Sequence, residues 1–119
     1  MTYKLFIDDE RDPPWHWCNS FVVVARTSLE AARMIKVFGM PTYISFDHDL
    51  GISSDGVEDT SINFINWLVE AVLDNRVQIP DNFDFYVHSQ NPIGKENIES
   101  KMTALLQWHR EKMPYVRNF

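Results

Sequence analysis

The sequence predicts an α/β domain built on a mainly parallel, four-stranded central sheet, and three observations carry that expectation. Short apolar runs of strand length alternate with longer amphipathic stretches. The resulting order, β, β, α, β, α, β, α, favours parallel strands with helices on both faces, a three-layer sandwich. Three of the apolar runs stop abruptly in polar, chemically able residues: Asp8-Asp9, Asp47-His48-Asp49 and His88-Ser89-Gln90-Asn91. In sheets of this kind ligands bind outside the carboxyl ends of the strands, so the fold would bring those three ends together.

Tyr3 to Ile7 reads as the first strand, apolar after Lys4 as a strand buried on both faces should be. Pro13-Pro14 stops regular structure, and Trp15-His16-Trp17 then offers two indoles that would cap the core beneath a loop, the alternative being a stacking platform for a base. Phe21 to Ala25 is the second strand. Thr27 or Ser28 caps a helix that runs to about Phe38, with Ala31, Ile35 and Phe38 on one face and Met34 beside them. Gly39 ends it and Pro41 keeps it from resuming. Tyr43, Ile44 and Phe46 form the third strand, and Gly51 permits the turn after it. Ile52 to Thr60 reads as a polar loop able to act as a lid. Thr60 or Ser61 caps the next helix, to about Asn75, with Ile62, Ile65, Val69 and Val72 as its core face. Phe83 to Val87 is the fourth strand. The last helix follows Gly94-Lys95-Glu96-Asn97, with Ile98, Met102, Leu105, His109 and Met113 on one face and Pro114 marking its end.

With 119 residues, 45% of them hydrophobic and 13% aromatic, residues 1–119 are expected to form one domain with its own core. The net charge of −6 argues against extended DNA binding, yet it leaves room for an enzyme acting on a nucleotide or on one RNA end. No apolar run approaches the roughly 20 residues of a membrane span. No leader peptide is visible, and Cys18 is the single cysteine, so a cytoplasmic location is expected. One cysteine also disfavours a thiolate zinc site.

Alternation along an extended chain puts Asp47 and Asp49 on one side and His48 on the other. Two carboxylates so placed repel unless a cation or a proton lies between them. Imidazole titrates near working pH, so His48 and His88 are candidate general acids or bases, although each faces the risk of pointing into the structure. Ser89 and Asn91 can donate to phosphoryl oxygens, and Asn91 before Pro92 can equally cap a turn. Lys95 sits at a helix start, where a phosphate is favoured. Arg11 reads as a surface partner of Asp12, with contact to a phosphate the alternative, and His16 and His109 read as packing or surface residues.

These residues resemble the receiver domain of two-component signalling. Asp8 and Asp9 match its metal-holding acidic pair, Asp47 its phosphoacceptor and Ser89 its phosphoryl-contacting hydroxyl. The blocks L-F-I-D-D-E-R-D-P-P, F-D-H-D-L-G and V-H-S-Q-N-P-I-G-K-E-N resemble, in order, a divergent branch, the cyclic-phosphate-processing receiver-like family. The resemblance implies a truncated receiver-like, flavodoxin-like fold. It also implies a metal-dependent phosphoesterase acting on cyclic phosphates of nucleotides or RNA ends, in RNA repair or phage–host conflict. Asp8, Asp9, Asp47 and Asp49 would hold Mg²⁺ or Mn²⁺; Asp47, His48 and His88 would be catalytic; Ser89, Asn91 and Lys95 would bind substrate. The alternative is a non-catalytic binding or inhibitor module that engages a partner protein, through its acidic surface and the tail from Tyr115 to Phe119. Two departures from ordinary receivers stand out. No fifth strand carries the expected lysine, and the first two strands are too close for a full first helix, since a crossover needs about 10 to 12 residues.

Overall fold

A computed structural model describes residues 2–17 and 21–117, with side chains to residue 112. Cys18, the side chain of Met113 and the side chains of the tail from Tyr115 fall outside the described residues.

Four short strands form the main sheet: β1 (Lys4–Ile7), β2 (Val22–Ala25), β3 (Tyr43–Phe46) and β6 (Asp84–Val87). Their order is β2-β1-β3-β6 and every pairing is parallel. Helices α1 (Ser28–Phe38), α2 (Ser61–Leu73) and α3 (Pro92–Arg117) follow β2, a hairpin of β4 (Asp49–Ile52) and β5 (Glu58–Thr60), and β6. The α/β class and the parallel four-stranded sheet flanked by helices are as the sequence reads; the expected placement of helices on both faces is not.

The register explains where the core lies. Leu5, Ile44 and Phe85 stand abreast, as do Ile7, Phe46 and Val87. Leu5, Ile7, Ile44, Phe46 and Val87 pack against Ala31 and Ile35 of α1, Phe64 and Leu68 of α2, and Ile98 and Met102 of α3 in one buried cluster. All three helices therefore lie on one face of the sheet. The opposite face carries Phe6, Ser45 and Tyr86 abreast. A 3₁₀ turn (Trp15–Trp17) covers it, with the Trp17 indole edge-on to Phe6 at 5.9 Å and to Tyr43 at 5.6 Å. The layers are thus unequal, because the β1–β2 connection is too short to hold a helix. Trp17 caps the sheet as expected, whereas Trp15 is exposed.

Local chemistry sets the helix ends. Thr27 accepts a hydrogen bond from the Glu30 N–H at 3.0 Å and caps α1, and Gly39 ends it at φ +79°. Phe38 emerges half exposed rather than on the buried face. In α2 the buried face is Phe64, Ile65, Leu68, Ala71 and Val72, with Ile62 and Val69 at its margin. Ser61 sets this phase, because its hydroxyl is buried against the Asp47 carbonyl. The last helix starts earlier than expected, at Pro92, where a missing N–H costs nothing. The Asn91 side chain accepts from the Gly94 N–H at 3.0 Å. Its backbone continues through Pro114 to Arg117.

Residues 52–60 correct the sequence reading. They are no open loop but most of an antiparallel hairpin, β4 (Asp49–Ile52) with β5 (Glu58–Thr60). The turn is closed by Ser53 N–H to the Val57 carbonyl at 2.8 Å and Gly56 N–H to the Ser53 carbonyl at 2.9 Å, with Gly56 at φ +82°. Polar composition hid it, since the strand residues are mostly exposed.

Candidate functional site

The parallel ladder continues one residue past the strands. Asp8 N–H donates to the Ala25 carbonyl at 3.1 Å, Asp47 N–H to Ile7 at 2.8 Å and His88 N–H to Phe46 at 2.9 Å. Asp8, Asp47 and His88 therefore follow Ile7, Phe46 and Val87 in register and emerge side by side on one face. Their ligand atoms all lie within 4.8 Å of one another. The chain leaves β1 towards β2 on one side and returns to β3 on the other, so the cluster sits at the sheet's topological switch point.

His88 is tightly held. Its ring stacks on Phe6 at 4.7 Å with an interplanar angle of 2°. Nδ1 shares a 2.7 Å hydrogen bond with the buried Ser45 hydroxyl, and Nε2 lies 3.0 Å from Asp8 Oδ2. For a neutral ring beside an ionised Asp8, Nε2 carries the proton and Ser45 donates to Nδ1.

Asp8 is almost wholly buried and takes four donors. Oδ1 accepts the N–H groups of Glu10 and Arg11, each at 2.9 Å; Oδ2 meets His88 Nε2 and, at 3.1 Å, Arg11 Nε. Burial pushes its carboxyl upward, but these bonds and the Arg11 charge outweigh it and hold Asp8 below its ordinary value. Asp47 goes the other way. Burial, reinforced by the Asp8 charge, raises it despite the His48 N–H, His88 and Arg11. The two neighbouring carboxylates are thus pushed apart, the pattern of groups that divide acid and base roles.

A polar cavity of about 320 Å³ opens over the pair, lined by Asp9, Glu10, Arg11, Asp47, Asp49, Gly51, Ser89, Gln90 and Asn91. The expected residues divide accordingly. Asp9 and Asp49 line the cavity but stand outside the 4.8 Å group, since only Asp8 and Asp47 follow the inward register. Ser89 and Asn91 line it while also shaping the turn into α3: Ser89 Oγ accepts from the Asn91 N–H at 3.1 Å. His48 does not line it. Its Nδ1 pairs with Asp49 at 2.9 Å, and its ring lies where a Cβ on Gly94 would fall, 2.4 Å from Cγ. Lys95 does not line it either; its ammonium lies 5.9 Å from the Tyr86 ring on the sheet's open face. In the first turn of α3 it projects sideways.

Two residues escaped the sequence reading. Arg11 is no surface partner of Asp12: its guanidinium lies against Asp8 and, at 3.8 Å, Asp47, while Asp12 pairs with Arg26 at 2.8 Å. Asp59 was one acidic residue in a supposed loop. It is buried and accepts the Ser28 N–H and hydroxyl at 2.8 and 2.6 Å and the Asn63 amide at 3.0 Å, tying the hairpin to the starts of α1 and α2. An Asp just before a helix cap is a faint signal for such a tie; for Arg11, spacing of three from Asp8 is the only one.

An all-parallel sheet of this order, with acidic carboxyl ends at its switch point, defines the receiver-like class of flavodoxin-like folds. Within it, the chain belongs to the cyclic-phosphate processing receiver domain family, whose model matches residues 3–104. No curated protein matches it. Among solved structures, a fusion chain carrying the yeast Spc42 trimeric coiled coil is similar in fold, with a TM-score of 0.50 and 18% identity over 98% of this chain and 84% of that one.

Proposed function

We propose that this protein is a metal-dependent phosphoesterase that opens or removes a cyclic phosphate on a nucleotide or RNA end. The observation that carries the reading is the meeting of Asp8, Asp47 and His88 within 4.8 Å beneath a polar cavity, in a chain of this family. The carboxylates of Asp8 and Asp47, with Asp9 and Asp49 at the cavity wall, are hard oxygen donors that fit Mg²⁺ or Mn²⁺, with further positions left to solvent and phosphate oxygens, while His88 Nε2–H holds Asp8 in place. When bound, such an ion would neutralise phosphoryl charge and acidify a nearby water.

The chain's own groups supply the rest. Asp8 and His88 hold their positions through Ser45, Phe6 and the turn N–H groups. Asp47, which lines the cavity, is placed to accept the proton of an attacking water and pass it to the leaving oxygen. The water oxygen joins phosphorus, one ester bond of the ring breaks, and a phosphomonoester and a free hydroxyl remain. Ser89 and Asn91 face the non-bridging oxygens, with the positive end of α3 behind them. His48 orients Asp49 at the rim.

Turnover of short RNA bearing a 2′,3′-cyclic end, with Mn²⁺ and with chelator, tests the reading. The expected result is metal-dependent opening that falls by about a hundredfold or more in Asp47→Asn, the scale of losing one acid–base group. A folded, metal-binding protein without turnover would instead favour a non-catalytic binding module.

A further inference from the structure

Asp8 has no acceptor site to spare. A carboxylate offers about four lone-pair positions, and those of Asp8 face Glu10 N–H, Arg11 N–H, His88 Nε2 and Arg11 Nε. Asp47 is less engaged: one oxygen accepts the His48 N–H at 2.9 Å, and among the described residues the other has only the Arg11 guanidinium, 3.8 Å away. Any cation that binds both carboxylates must therefore take the place of a donor already on Asp8. The two turn N–H groups are fixed by the backbone. His88 is wedged between Phe6 and Ser45. Arg11 is the donor free to leave, because its side chain is 49% exposed and lines the cavity. Its backbone stays anchored, since the Arg11 carbonyl accepts from Arg26.

The geometry points to Arg11 as a resident cation that a divalent ion displaces from Asp8 and Asp47, and whose freed guanidinium then binds the phosphoryl group in the cavity. The inference rests on the metal-binding part of the function proposed above. A guanidinium on a flexible stem can exchange one bidentate oxyanion partner for another, from carboxylate to phosphate, within the reach of the same side chain. The exchange couples the two ligands. The ion releases Arg11 for phosphate, and phosphate stabilises Arg11 in the released position, so each tightens the other by the same factor.

Calorimetry with Mn²⁺ alone, and with inorganic phosphate at saturating Mn²⁺, tests this on the wild-type chain, Arg11→Gln and Arg11→Lys. Arg11→Gln should bind Mn²⁺ about tenfold more tightly, since no resident cation competes, and bind phosphate about tenfold more weakly. Phosphate should tighten Mn²⁺ binding in the wild type and hardly at all in Arg11→Gln. Arg11→Lys keeps the charge, controls for folding, and should fall between the two. In the wild type, the Arg11 Nε–H resonance should move on Mg²⁺ addition and again on phosphate addition. Equal or weaker Mn²⁺ binding by Arg11→Gln would overturn the inference, and Mn²⁺ uptake by neither chain would overturn it together with the metal site. Tighter Mn²⁺ binding in Arg11→Gln, with no cyclic-phosphate turnover by the wild type, would leave the inference standing and remove the esterase reading.

Discussion

Asp59 illustrates how a carboxylate outside the site can govern stability. Burial pushes its carboxyl upward, but the Ser28 hydroxyl and N–H and the Asn63 amide prevail and lower it. A carboxyl lowered in the folded state contributes stability that is present above the unfolded value, about 4, and lost as pH falls through the folded value. Asp59→Asn keeps the shape but forfeits charge-assisted bonds. It should cost about 1.5–3 kcal/mol at neutral pH and flatten the loss of stability below about pH 4, as urea titrations across that range would show. If the wild type and Asp59→Asn lose stability in parallel with acid, Asp59 is not the group responsible. Asp8 and Asp47 show the same physics with opposite signs: one is buried with four donors, the other is buried with fewer and beside a negative neighbour.

At the scale of elements, α2 shows how a single hydroxyl sets the phase of a helix. Ser61 lies buried against the Asp47 carbonyl, its N–H donates to the His48 carbonyl at 2.9 Å, and the helix it opens turns Phe64 and Leu68 fully inward. Phe64→Ala should therefore cost about 3–5 kcal/mol, and Ile62→Ala much less, since Ile62 stands at the margin of the core. Chemical denaturation of the two variants separates the phases: equal losses would place Ile62 in the core after all. The hairpin ahead of α2 matters to the site for the same reason. Gly51 of β4 stands so close to Asp9 that an added Cβ would lie 3.3 Å from its Oδ2, so the hairpin forms one wall of the cavity. A mostly polar stretch gains that order from the backbone bonds of its turn, from Asp59 and from Leu50 of β4, which is buried in the core.

At the scale of the whole molecule, the sheet is covered unequally. Three helices bury one face; a 3₁₀ turn and Trp17 shield the other near β1 and β3, while Tyr86 on β6 remains 55% exposed. Trp17 does the work of a helix by packing on Phe6 and Tyr43, with the Lys4 ammonium 5.0 Å from its ring. Phe6 in turn supports His88. Trp17→Ala should thus lower stability by about 3 kcal/mol and also loosen His88, read as a lower melting temperature and a shifted His88 imidazole resonance. An unchanged His88 signal in a destabilised variant would show that the two roles are separate. Among the described residues, no helix is long and apolar enough to cross a membrane.

The sequence by itself determined the α/β class, the four strands and the three strand ends that meet at the site, because apolar runs, caps and abrupt polar stops are local signals. Asp8, Asp47, Ser89 and Asn91 were legible as residues of one sheet edge for that reason. Tertiary structure alone decided which of them face inward. Only the cross-strand register could set Asp8, Asp47 and His88 abreast, leave Asp9 and Asp49 at the rim, turn His48 against Gly94 and carry Lys95 to Tyr86. It also decided that Arg11 would leave its neighbour Asp12 for two carboxylates, one of them on another strand. Such choices depend on desolvation and on distances between segments far apart in the chain, and neither is written in the spacing of residues along it.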